Sequence, residues 1–499
     1  MCGIIGVAKI QENGVYDIYD GLVLLQHRGQ DSAGIVTFNG TKFFEKRGPG
    51  LIRDIFTNLD MKRLKGNFGL GHCRYTTCGN FDNLEETQPF FVNSPFGIYM
   101  IHNGNLTNTD KLREEIQKKY HRHLRTDSDT EILLNMFAQK IREIIKRNRQ
   151  QKDLKKILFD ATKKIMEQVS GSYSIITIVD EIGMLIFRDP NGIRPLVIGT
   201  KKTTQGQEWC FASEDVAFRS QGYELYRDVR PGEAILIDKK GKFFSHQCVK
   251  GELHPCIFEY IYLARPDSLM NNISVHKARI RMGNFLAKQI KKSGLSIDSV
   301  MPIPDSGRTL AVQIAQELGI KYREGLVKNR YIGRTFIMPN QRMRQKSIRQ
   351  KLNPIDLEFR GRNILLVDDS IVRGNTIKQI IQLCRNAGAK RVYIAIGAPP
   401  VRYPDVYGID IPTRRELIAH NASIKEIQKA INADALFYQK LEDLISSARI
   451  GNPSIKKFHT AFFDGKYITP EVTPSYLKKL EEKIIMQNKN ESALEFPTF

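Results

Sequence analysis

Apolar runs long enough to span a membrane are missing: nowhere do about 18 uninterrupted apolar residues occur. Cysteine is scarce, with seven in 499 residues. The number is odd and the spacing irregular, which argues for reduced thiols over a disulfide framework. Beyond Cys256 only Cys384 follows, so a four-thiolate iron–sulfur or zinc centre is not available in the second half. Cys73 and Cys78 supply at most half of one. Internal repeats and low-complexity segments are absent too. The opening residues, Met1 to Lys9, lack the basic head and cleavage pattern of a secretory leader, so a cytosolic protein is expected. Acidic residues are outnumbered, 54 against 76 basic ones, for a net charge of +22. Such an excess suits a polyanion, either nucleic acid or a phosphorylated metabolite. Much of it falls on helical faces such as Lys140 to Lys156, besides a dense run from Arg342 to Arg349, and solvated helix surface explains most of it.

What is present is ordinary globular material: 41% hydrophobic and 26% charged residues, in a chain long enough for two domains of roughly 200 to 250 residues. Short β-type runs alternate with turns through the first half, as in Ile35–Phe38 before Asn39-Gly40 and Ser174–Val179 before Asp180. A helical stretch from Leu124 to Lys164 carries Ile132, Leu133, Met136, Phe137, Ile141, Ile144 and Ile145 at three and four spacing. Turn residues at Arg230-Pro231-Gly232 and Gly251 to Pro255 mark a junction. After it the pattern becomes strand, helix, strand at α/β spacing. Ser299 to Pro304 leads into a helix from Thr309 to Leu318 closed by Gly319. Asn363 to Val367 leads into a helix from about Thr376 to Asn386 closed by Gly388, then a strand Val392–Ile396. Tyr476 to Met486 predicts a last helix, and Asn488 to Phe499 a frayed tail. The domains expected are therefore 1–235, 236–470, and a terminal helix and tail over 471–499.

Cys2 becomes the first residue if Met1 is removed, and its own α-amine, with a reference pKa near ~7.7 to 8.0, can then take the thiol proton. Such a thiolate can attack an amide carbonyl. Alone, Cys2 reads first as a small buried residue opening a strand. Arg74, in His72-Cys73-Arg74-Tyr75, puts a guanidinium at a strand end, suited to a carboxylate or to a surface ion pair. Asn103-Gly104 offers a side-chain amide beside an unencumbered N–H, the pairing of an oxyanion hole or of a hairpin turn. Asp129 suits an ammonium group or the N-cap of a helix. Together these residues resemble the N-terminal-nucleophile glutamine amidotransferases, whose Cys-Gly-Ile-x-Gly start and His-x-Arg-Tyr and His-Asn-Gly motifs are matched here. The resemblance implies Cys2 as nucleophile, Asn103 and the Gly104 N–H as oxyanion donors, and Arg74 and Asp129 as the glutamine clamp. His27-Arg28-Gly29-Gln30-Asp31 also matches, with no chemistry assigned to it.

In the second half, Leu366-Val367-Asp368-Asp369 runs through Ser370, Ile371, Val372, Arg373, Gly374 and Asn375 into a helix at Thr376. That loop presents free N–H groups at the positive end of the helix, where a phosphate binds, and its acids suit ribose hydroxyls and water-bridged Mg²⁺. The string resembles the phosphoribosyl pyrophosphate motif of type I phosphoribosyltransferases, most closely that of the glutamine phosphoribosylpyrophosphate amidotransferase family. Phe258 to Ser268, Pro304-Asp305-Ser306-Gly307 and Lys328 to Ile337 extend the likeness over nearly the whole chain. It implies an αββα sandwich of the N-terminal-nucleophile type, hence α+β, followed by an α/β domain with a parallel phosphoribosyltransferase sheet. By the same likeness Ser306, Asp368 and Asp369 lie at a Mg²⁺ site. Lys328 and Arg334 assist the pyrophosphate, and Lys328 to about Lys351 form a loop that closes over substrate. Asn375 stands where the family usually has threonine.

The implied activity is hydrolysis of glutamine and transfer of its ammonia to phosphoribosyl pyrophosphate, giving 5-phosphoribosylamine and pyrophosphate, the first committed step of purine synthesis. Ammonia must travel unprotonated, so an apolar route is expected, lined in part by Phe336, Ile337 and Met338. No iron–sulfur cluster is expected, which places the chain with the cluster-free branch. A homo-oligomer, commonly a tetramer, and purine nucleotide inhibitors are implied; membrane and nucleic acid are not. The rivals are a glucosamine-phosphate or asparagine synthase, which lack the Val-Asp-Asp-Ser loop, and a non-catalytic nucleic-acid-binding regulator on a phosphoribosyltransferase fold.

Overall fold

The opening strand, Gly3–Ala8, is buried on both faces, and its alternation sorts the layers. Ile5 and Val7 pack outward with Ile18 and Leu22 of the helix Val15–Leu24. Ile4 and Ala8 point the other way, into a core shared with Val36, Leu70, Ile101 and Ile176. A computed structural model, describing residues 1–75, 84–147, 153–329, 352–411 and 413–494, gives the architecture that follows.

Seven antiparallel strands form the first sheet, in the order Glu224–Asp228, Val197–Thr203, Gly206–Ala212, Gly3–Ala8, Phe68–Arg74, Ser32–Phe38 and Phe43–Pro49. The second sheet runs Phe243–Gln247, Glu233–Asp238, Gly183–Arg188, Gly171–Val179, Ile98–Leu106 and Phe90–Val92. Helices Asp129–Arg147 and Leu154–Gln168 cover its outer face through Ile132, Phe137, Ile141, Leu158 and Ile165. Helix, sheet, sheet, helix is the sandwich implied by the sequence likeness.

Close approach of the sheets needs Gly6, because a Cβ there would stand 2.6 Å from Ile176 Cγ2 and 3.3 Å from Met184 Sδ. Gly6→Val is expected to cost about 1 to 3 kcal/mol by overpacking, read as a lower urea midpoint at unchanged m-value.

Three elements depart from the sequence reading. The stretch Leu124–Lys164 is two helices, the second started by Asp153, whose carboxylate accepts from the Lys155 and Lys156 amides at 3.0 and 3.4 Å. Val15–Leu24 escaped notice because its Gly14 start makes no side-chain cap bond. Phe243–Gln247 pairs antiparallel with Glu233–Asp238, so the second sheet runs on past residue 235.

The second half is built on a parallel sheet in the order Lys321–Tyr322, Ser299–Pro302, Asn363–Asp368, Arg391–Ile396 and Ala435–Tyr438. Helix Val275–Lys292 packs on Arg308–Leu318 and Leu441–Arg449, while Asn375–Asn386 packs on Ile424–Ile431. Gly319 closes Arg308–Leu318 in the left-handed region, at φ 66°. The last helix runs from Pro474 to Leu494, so residues 488–494 are helical rather than frayed. Good helix formers such as Gln487, Lys489 and Ala493 continue it, and Lys483 pairs with Asp110 of the first half at 3.1 Å. Residues 495–499 lie outside the described residues. Among those described, no helix is long and apolar enough to cross a membrane.

Candidate active sites

Cys2 precedes the central strand of the first sheet and is half-buried, its Sγ 4.0 Å from Tyr75 O. Met1 is buried before it, with Sδ 2.6 Å from Arg194 Nη1. The terminal amine is lowered from its usual 8.0 to about 6, chiefly by burial, with Arg194 and Arg28 adding to the effect and Cys2 and Asp410 opposing it. An amine so placed is neutral at pH 7.

Asn103 and Gly104 lie within the strand Ile98–Leu106, opposite Ser174 and Tyr173 of the next strand, which removes the hairpin-turn alternative. Asn103 is 1% exposed, and its Nδ2 has no hydrogen-bond partner among the described residues. Leaving a buried donor unmade costs about 1 to 3 kcal/mol, and an acceptor arriving there would recover it. Gly104 has φ 153°, and a Cβ would fall 2.1 Å from Ser172 O. No other residue fits.

Arg74 is 11% exposed and bonds Glu86 through Nη2, so its guanidinium already faces a carboxylate and is no surface pair. Burial pushes the Glu86 carboxyl up, with Arg74 opposing. Asp129 does not cap its own helix: Oδ2 accepts from Leu106 N at 3.1 Å, one residue past Asn105 on the Asn103–Gly104 strand. Burial raises its carboxyl, but His102, 3.4 Å from Oδ1, and these hydrogen bonds outweigh that and hold it below the usual range. His72, fully buried with both ring nitrogens unpartnered among the described residues, is held neutral, down to about 3, by burial and by Arg74 and His102. Burial likewise pushes the Cys73 thiol up to about 12. Cys78 lies outside the described residues.

The unassigned His27-Arg28 pair now has partners. His27 Nε2 lies 2.7 Å from Glu214 Oε1, to which Arg28 Nε also bonds, and Arg28 Nη2 lies 2.8 Å from Glu259 Oε2. Glu259 and Ser268, both in the Phe258–Ser268 motif, join this buried cluster, Ser268 by donating to Glu214. Arg194 extends it, 3.6 Å from both Glu259 Oε1 and Asp405 Oδ2. Sequence reading quoted Arg28 and Glu259 without a role; their separation of 231 residues hid the pairing.

The second site lies at the carboxyl ends of two neighbouring parallel strands, where α/β sheets bind ligands. Gly374, at φ 82°, precedes the helix Asn375–Asn386 and has no side chain to cap it, so among the described residues no side-chain cap bond covers the amides of its first turn, which include Asn375 and Thr376. Asp369 is buried, and its carboxylate accepts from the hydroxyls of Ser370, at 2.5 Å, and Ser306. Asp368 Oδ1 accepts from the Asp369 amide at 2.9 Å. Burial, reinforced at Asp368 by its acidic neighbour, raises both carboxyls.

Two carboxylates and a hydroxyl are hard oxygen donors short of positive charge, a fit for Mg²⁺ that completes its shell with water and substrate phosphate. No group of three or more His, Cys, Asp or Glu able to hold a metal by itself occurs among the described residues. Lys328 Nζ reaches Asp305 Oδ2 at 2.9 Å beside this loop. Arg373 Nε pairs with Glu416 at 2.8 Å, and Ile371 is buried beneath. Val372 O accepts from Ile418 N at 3.0 Å. Arg334, with Phe336, Ile337, Met338 and the rest of the expected closing loop to Lys351, lies outside the described residues.

Comparison with known proteins finds a different domain match in each half of the chain. Residues 72–220 match a glutamine amidotransferase domain and 270–405 a phosphoribosyl transferase domain. The amidophosphoribosyltransferase of Pseudomonas aeruginosa is 51% identical over 485 residues, 97% of this chain and 96% of that one. That of Escherichia coli is 47% identical, covering 96% and 95%. A solved structure of glutamine phosphoribosylpyrophosphate amidotransferase from B. subtilis, complexed with ADP and GMP, superposes with a TM-score of 0.82 at 35% identity, covering 95% of this chain and all of that one. With a glutamine amidotransferase domain in one half, a phosphoribosyl transferase domain in the other, and relatives this similar over nearly their whole length, the chain belongs to the amidophosphoribosyltransferase family.

Proposed function

We propose that Cys2, freed of Met1, attacks the γ-amide of glutamine while its own amine takes the thiol proton. The observation that carries this reading is the Asn103 side-chain amide, buried and unpartnered on the strand that also presents Gly104. The carbonyl oxygen becomes an oxyanion as the C–S bond forms, and Asn103 Nδ2 with the Gly104 N–H receives it. Ammonia leaves with the proton the amine had taken, and water frees the thioester as glutamate. Arg74 takes the glutamine α-carboxylate, for which Glu86 stands in here, and Asp129, kept ionised by its neighbours, takes the α-ammonium.

At the second site the loop Asp368 to Thr376 holds phosphoribosyl pyrophosphate. Ammonia attacks ribose C1 and the C1–O bond to pyrophosphate breaks. Ser306, Asp368 and Asp369 would hold Mg²⁺, directly or through water, which supplies charge neutralisation for the departing pyrophosphate; Lys328 and Arg334 add theirs. Ile371, Val372 and Gly374 shape the cradle, and Ser370, Arg373, Asn375 and Thr376 supply its polar contacts. An enclosed apolar passage between the two sites would keep ammonia unprotonated. Purine nucleotides acting as feedback inhibitors, a homotetramer, a cytosolic location and a junction near residue 250 complete the reading. The nucleotides in the B. subtilis structure support the first of these.

Glutamate release that depends on phosphoribosyl pyrophosphate and on Mg²⁺ tests the whole. Asn103→Ala is expected to lower glutaminase kcat by roughly 10²- to 10³-fold with little change in KM, whereas Arg74→Ala raises KM for glutamine. Equal effects of both variants on KM alone would refute the oxyanion assignment.

A further inference from the structure

A turn from the phosphoribosyltransferase half is seated directly behind the oxyanion strand. Asn105 Nδ2 donates to Val406 O at 2.9 Å, and Tyr407 O accepts from both Ser172 Oγ, at 2.7 Å, and Arg194 Nε, at 2.8 Å. At the tip stands Gly408, with φ 103°. A Cβ on it would lie 2.8 Å from Gly104 O and 2.9 Å from Gly104 C. The two glycines therefore meet backbone to backbone, and the peptide plane carrying the Gly104 carbonyl cannot retreat from the first half into the second.

The turn is itself held from within its own half. Asp405 has a fully buried side chain whose Oδ2 accepts from the amides of Tyr407, at 3.0 Å, and Ile409, at 2.8 Å. Its Oδ1 lies 2.8 Å from His459 Nε2, also fully buried. The Tyr407 ring stands edge-on to His459, with centroids 4.9 Å apart, and its hydroxyl shares a 2.8 Å hydrogen bond with Thr469. The Tyr407 and Ile409 amides and the Tyr407 carbonyl are thus each fixed by a buried side chain. A preorganised donor is worth most when nothing near it moves as charge develops.

We propose that Gly408 is a positioning residue for glutamine hydrolysis, its backbone setting the place of Gly104, and that the Asp405–His459 pair holds Gly408 there. This rests on the reading of Gly104 as an oxyanion donor. Gly408→Ala in the full chain is expected to lower glutaminase kcat about 10- to 100-fold, with KM for glutamine within about twofold of wild type. Ammonia-dependent synthesis of phosphoribosylamine by the same variant should stay intact. His459→Gln should show the same split at smaller amplitude, and it decides the matter alone should Gly408→Ala not fold. An unchanged kcat, or a parallel fall in both activities, would overturn the proposal. Asn103→Ala separates the two readings. If it lowers kcat and Gly408→Ala does not, positioning fails alone. If Asn103→Ala is silent, the oxyanion reading fails with it.

Discussion

Replacing Cys2 by alanine is expected to remove glutamine-dependent synthesis of phosphoribosylamine, by roughly 10⁴-fold or more, while synthesis from added ammonia continues near the wild-type rate. The division follows from the architecture. Cys2 opens the central strand of the first sheet, whereas the phosphate loop leaves the parallel sheet of the other half. The other thiols among the described residues are all buried. Cys73, on the neighbouring strand, is fully buried with its pKa pushed up to about 12, hence protonated at neutral pH. Loss of both reactions in Cys2→Ala would mean that the ammonia site needs the sulfur, and would end the two-site reading. The same assay on chain that retains Met1 should resemble Cys2→Ala, because the thiol then lacks its own free amine; mass spectrometry of the active protein identifies which form works.

Asp368→Asn should act at the second site with two signatures of opposite sign. Both reactions that depend on phosphoribosyl pyrophosphate should fall, by about 10²- to 10³-fold. The metal-free protein should nevertheless become more heat-stable, by about 2 to 4 °C if neutralisation relieves about 1 kcal/mol. The sign follows from linkage. The folded-state pKa of Asp368 lies above the unfolded value of about 3.9, so the folded state binds the proton more tightly. Its unfavourable effect is absent below about pH 4, develops as pH rises through the folded pKa, and persists at neutral pH. Calorimetry of the metal-free protein from pH 4 upward measures it, and the pH dependence should flatten in Asp368→Asn. Adding Mg²⁺ should raise the Tm of wild type and leave the variant nearly unmoved. A destabilised variant would mean that the Asp369 amide's hydrogen bond to Asp368 matters more than the repulsion between the two acids.

Much of this could be read from the chain alone. Short apolar runs bounded by turns at Ser174–Val179 and Asn363–Val367, both buried throughout most of their length, a stop at Gly319, and the turn that follows Asp368 into a helix are local signals. The structure found each within a few residues of where it was expected. The double role of Asn103-Gly104 was not decidable locally, since the same dipeptide serves a hairpin or a strand, and only pairing with Gly171–Val179 settles it. Asp129 was ambiguous for the same reason until Leu106 N claimed its carboxylate.

Sequence by itself determined which chemistries are present: a thiol beside a removable methionine, an amide next to glycine, paired acids before an uncapped helix. Those depend on residue type and on spacing of a few positions. Tertiary structure decided what faces what. Arg28 meets Glu259 across 231 residues, and Gly408 comes to rest against Gly104. Such meetings depend on how two independently patterned halves dock, which no short-range periodicity encodes, because the free energy that fixes them is spread over an interface rather than written in any one segment.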